Sequence, residues 1–99
     1  MKSFYVIIND FNAGTFEPYD VMPYLINEYN GSKDKPSTFE EFRDFVKNKS
    51  RYRWGARCEY EIILSDWPGQ RHYAKWDIYK QVMMNLDVVT TILMENASI

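Results

Sequence analysis

The feature that most constrains this chain is the alternation Cys58-Glu59-Tyr60-Glu61-Ile62-Ile63-Leu64, closed by Ser65-Asp66-Trp67-Pro68-Gly69. Cys58, Tyr60, Ile62 and Leu64 fall on one face and Glu59, Glu61 and Ile63 on the other, the period-two pattern of a strand with one buried face. The Trp-Pro-Gly stop then ends it. A strand of this kind needs sheet partners and a covering layer, and 99 residues supply one core. The chain therefore reads as a single domain over residues 1–99.

A second strand signal, Phe4-Tyr5-Val6-Ile7-Ile8, opens the chain and reads as buried on both faces for lack of polar alternation. Asn12-Ala13-Gly14 supplies turn chemistry, and Thr15-Phe16-Glu17 returns as a short strand that Pro18 either confines to an edge or ends. Asp20 suits the cap of a first helix with Pro23 in its first turn. Val21, Met22, Leu25, Ile26 and Tyr29 form its apolar face, and Gly31 suits a left-handed C-cap.

Thr38 with Glu41, or Ser37 with Glu40, makes a capping box for a second helix, whose stripe is Phe39, Phe42, Phe45 and Val46. After the 58–64 strand and a polar loop (Gln70, Arg71, His72), a long helix is predicted from about Lys75 to Glu95. Its stripe is Tyr79, Val82, Met83, Leu86, Val89, Ile92 and Leu93. The order β-β-α-α-β-α predicts an α+β domain, with a small two- or three-stranded antiparallel sheet and three helices packed on one face. The first strand and the 58–64 strand are expected to be neighbours in that sheet.

Composition narrows the chemistry. One cysteine and one histidine, with carboxylates at no ligand spacing, give no metal site and no cofactor box. Cys58 lies on the apolar strand face as an inert thiol, and no nucleophile elbow or phosphate loop occurs. Glu59 and Glu61 share a face but read as solvated acids that pair with Arg53 and Arg57. The expectation is a protein that is not an enzyme. The apolar run at the N-terminus is too short for a signal peptide or a membrane span, which points to the cytoplasm.

What remains is local charge. Between Lys47 and Arg57 lie five basic residues and no acid, interleaved with Tyr52 and Trp54, in a chain of net charge −2. Lys47 and Lys49 complement a helix C-terminus. Arg51, Arg53 and Arg57, with Trp54, Trp67 and Tyr73 as aromatic anchors, suit a partner-binding surface. The same residue types suit single-stranded nucleic acid, with cations for phosphates and rings for bases. A purely structural reading, with the arginines paired to neighbouring acids, accounts for the cluster as well.

Over RYRWGARCEYEIILSDWPG and KWDIYKQVMMNLDVVTTILMEN, and over most of the rest including FEPYDVMPYL and STFEEFRDFVK, the chain resembles small proteins encoded by phages, prophages and mobile elements of gut Firmicutes. That group has no assigned activity, so the resemblance transfers a setting and no residues. It implies an accessory protein acting inside a bacterial host, of the kind that includes inhibitors of host defence complexes such as anti-CRISPR proteins. The expected partner is a host protein or nucleoprotein complex. A nucleic-acid-binding accessory or regulatory role is the alternative, and apolar surface on the last helix leaves room for a homodimer.

Overall fold

The computed structural model describes residues 2–10, 15–55, 59–66 and 70–98; within the strands the side chains of 8–10, 15–17, 59–66 and 70–77 are not described. The protein is α+β. Strands β1 (Tyr5–Asp10) and β2 (Thr15–Asp20) pair antiparallel, with Tyr5 opposite Asp20 and Ile7 opposite Pro18. Helices α1 (Met22–Asn30) and α2 (Phe39–Ser50) follow, and one turn of π-helix, Arg51–Gly55, continues α2. Strands β3 (Glu59–Asp66) and β4 (Gln70–Asp77) form a second antiparallel hairpin, before helices α3 (Ile78–Met84) and α4 (Leu86–Ala97).

The observed order is thus β-β-α-α-β-β-α-α, which corrects the expected one at three points. Gln70–Asp77 is a strand rather than a loop and the start of a helix: it runs in register with β3, Tyr73 opposite Ile63 and Trp76 opposite Tyr60. Its own alternation, Arg71-Tyr73-Lys75 against His72-Ala74-Trp76, is the signal that the helical periodicity further on had absorbed. The two hairpins are separate two-stranded sheets, and β1 approaches β3 without sharing a ladder. Finally, the last helix is two. Asn85 leaves the helical region (φ −121°, ψ 28°), and its side-chain amide donates to the Gln81 carbonyl at 2.9 Å. Asparagine competes in this way with the backbone for hydrogen bonds, which makes it a natural break.

The core is drawn from both helix pairs and β1: Val6, Val21, Met22, Leu25, Phe42, Val46, Trp54, Ile78, Val82, Leu86, Val89 and Leu93. β1 buries Val6 while Tyr5 and Ile7 stand exposed, so the first strand has one buried face and not two. A two-stranded ribbon covered by helices on one side has no second layer to bury the other. Pro18 is compatible with such a ribbon, in which each strand has a free edge.

Asp20 caps α1 from one residue upstream of the N-cap. Its carboxylate accepts from the Met22 amide at 3.0 Å and the Phe4 amide at 3.3 Å, joining the strand entry to the helix start. Gly31 ends α1 at φ −85°, so the expected left-handed cap does not form. A Cβ there would lie 3.5 Å from the Asn27 carbonyl, an ordinary contact. Tyr29 stacks on Phe42 at 5.6 Å and joins α1 to α2. None of the helices among the described residues is long and apolar enough to cross a membrane.

Candidate functional site

The basic cluster is positioned by the end of α2. Four buried residues, Phe42, Val46, Ser50 and Trp54, follow one another at steps of four. An α-helix turns about 100° per residue, so a seam at steps of four drifts by about 40° at each step. Opening the last turn to π geometry, with its i→i+5 bonds, slows the rotation and keeps Trp54 on the buried side. The residues between are turned outward. Arg51, Tyr52 and Arg53 are exposed, Tyr52 at 71% of its surface.

Trp54 is the anchor of this turn. It is 1% exposed and meets two rings edge-on: Tyr24 of α1 at 5.1 Å and Tyr19 of β2 at 6.3 Å. Edge-to-face pairs at these separations add to the area the indole buries. Trp54 therefore cannot be an aromatic anchor for a partner, as its neighbourhood in the sequence suggested; it is a core residue that aims its neighbours.

Tyr24 links the turn to α1. Its hydroxyl donates to the Lys49 carbonyl at 3.2 Å, close to the point where α2 passes into the π turn. The Arg53 guanidinium lies over the same ring, 5.8 Å from its centroid, within the reach of a cation–π attraction. Burial, helped by the Glu28 carboxylate, raises the Tyr24 phenol above its ordinary range, against the opposing pull of Arg53. The ring therefore stays neutral, with its hydroxyl hydrogen in place for Lys49.

The cations around the turn differ in their commitments. Lys49 pairs with Glu28 at 3.5 Å and lies 5.7 Å from the Phe45 ring centroid. Among the described residues Arg51 and Arg53 have no carboxylate within ion-pair distance. The anticipated pairing of Arg53 with Glu59 and Glu61 concerns side chains outside the description; in backbone register Glu61 stands opposite Lys75.

Of the six residues expected at the surface, the structure brings together Arg51 and Arg53, and withdraws Trp54. Arg57 and Trp67 lie outside the described residues, as does Cys58, and Tyr73 is placed on β4 with its side chain undescribed. Tyr52 and Tyr24 were missed. Tyr52 lies two residues from Trp54 and so faces away, but only once Trp54 is known to be the buried ring of the two. Tyr24, 29 positions before Arg53, carries no such signal. No group of three or more histidine, cysteine, aspartate or glutamate residues among the described residues could hold a metal ion. No family model, no curated protein and no solved structure matches the chain.

Proposed function

We propose that this chain is a small non-enzymatic binding protein whose working surface is Arg51, Tyr52 and Arg53, and that it blocks a partner by occupying an acidic part of it. One observation supports this reading most: two arginines and a tyrosine stand exposed on a turn that a fully buried tryptophan holds in place. Arginine and tyrosine are enriched in the few residues that carry binding energy at interfaces. Groups already held in position lose less entropy on association than groups on a mobile loop. The resemblance to phage and mobile-element proteins suggests the kind of target, a defence complex in the cytoplasm of a bacterial host, as for anti-CRISPR proteins.

The nucleic-acid reading draws on the same arginines. The Lys49–Glu28 pair beside them weakens it, since a polyphosphate chain laid along the turn would run past a carboxylate. Tagged protein and an Arg51→Glu/Arg53→Glu double variant, each used for capture from host lysate, test the proposal. One host complex is expected with the wild type and not with the double variant. Equal capture by both would remove this surface from consideration. Tight binding to bare DNA or RNA, falling steeply with salt, would instead support the nucleic-acid role.

A further inference from the structure

We infer that Arg53 is the specificity-determining residue of this surface, and that its guanidinium edge receives a single carboxylate of an acidic protein partner through two parallel hydrogen bonds. The inference rests on reading the 51–53 turn as a binding surface, and it names the chemistry that the turn would recognise.

The reasoning starts from what each cation already does. Lys49 is tied to Glu28 and packed near Phe45. Arg51 is exposed, with no ring and no carboxylate against it among the described residues. Arg53 alone of the three has its charge over a ring while, among the described residues, no acid meets its donors. Guanidinium carries five N–H donors in its plane, in a fork that matches the two oxygens of a carboxylate. The attraction to Tyr24 restricts where that fork can be.

Tyr24 in turn is fixed. Its ring stands edge-on to buried Trp54, and its hydroxyl is bonded to the Lys49 carbonyl. A chain of contacts from the core thus ends at the Arg53 donors, so less side-chain freedom is lost when they take a ligand. Lysine could not replace this arginine, because an ammonium is a point charge without a fork. The choice of a carboxylate over a phosphodiester follows from Glu28, which sits beside Lys49 and opposes a continuous polyanion but not one protruding acid. Tyr52, exposed next to Arg53, supplies apolar contact around that acid.

Arginine side-chain NMR reads this without a known partner. The Nε–H resonances of Arg51 and Arg53 are followed while acetate, and separately dimethyl phosphate, is added at constant ionic strength. Both probes carry one negative charge. The Arg53 resonance should respond to acetate with an affinity roughly two- to five-fold tighter than that of Arg51, the lower part of the saving expected when a side chain is already ordered. Acetate, the more basic anion and so the stronger hydrogen-bond acceptor, should act at Arg53 more strongly than dimethyl phosphate. Tyr24→Leu should reduce the Arg53 response to the level of Arg51, and Tyr24→Phe, which keeps the ring, should preserve most of it if the leucine variant does not fold. Equal responses of the two arginines, or a preference for dimethyl phosphate, would overturn the inference.

The same variants separate it from the broader proposal. An Arg53→Lys protein that captures the host complex as well as wild type, while Arg51→Glu/Arg53→Glu does not, sinks the carboxylate fork and leaves the surface standing. If the double variant captures the complex normally, the surface reading fails whatever the resonances show.

Discussion

At its N-terminal end α2 is held by residues within one turn of each other, whereas at its C-terminal end it is held by residues from other elements. Thr38 accepts from the Glu41 amide at 3.2 Å, and Glu41 reaches back to the Ser37 amide at 2.9 Å and the Ser37 hydroxyl at 3.0 Å. That start would be much the same in any fold. The other end passes into a π turn whose shape follows from where Trp54 must go, and the Lys49 carbonyl just before that turn is met by Tyr24 from another helix. The proposed binding residues lie at the second end. A surface aimed by tertiary contacts can be lost without touching any surface residue.

The largest effect is expected from Trp54→Ala. Emptying a fully buried indole site should cost about 3–5 kcal/mol in chemical denaturation, and it should release the 51–53 turn. If stability falls by less than about 1 kcal/mol, the turn is not anchored as described. Ser50, in the same seam, has a fully buried hydroxyl with no hydrogen-bond partner among the described residues. Ser50→Ala removes that desolvated group and favours the helix, so stability should rise by about 1 kcal/mol. A loss of that size would mean that the hydroxyl is satisfied after all.

At the local end Thr38→Ala should cost about 1 kcal/mol, the usual loss of an N-cap. Unlike Trp54→Ala it should leave the Arg53 resonances where they are. The smallest effect is a pH dependence. The Ser37 amide and hydroxyl hold the Glu41 carboxyl below its ordinary range. A carboxyl lowered on folding contributes stability that is present above its unfolded pKa and disappears as pH falls through its folded one. Denaturation midpoints should therefore drop on acidification through the carboxylate range, and Glu41→Gln should lessen that drop. An identical acid profile for both proteins would show that the box adds nothing measurable.

Much of the first half of the chain could be read without coordinates. The β1–β2 pairing, α1 and the Thr38–Glu41 box follow from neighbours in sequence, because turn residues, prolines and caps act over three or four positions. The second half was read less well. Val82, Leu86, Val89 and Leu93 lie on one helical stripe whether or not the helix breaks at Asn85, so periodicity alone could not find the break. At 70–77 the alternation of Arg71, Tyr73 and Lys75 with His72, Ala74 and Trp76 is short and mixed in polarity, and the pairing with β3 is what decides the strand.

For the candidate site the division is similar. The basic and aromatic character of 51–54, and the exclusion of cysteine-rich metal chemistry by one Cys and one His, belong to the sequence itself. Which aromatic is buried, and which cation lies over a ring, was decided only by the tertiary structure. Trp54 and Tyr52 have equal claims to the core until Tyr19 and Tyr24 arrive from β2 and α1 to enclose one of them. Arg53 differs from Arg51 for the same reason: the ring beneath it comes from a helix 29 residues earlier, and contact at that range is set by packing rather than by adjacency.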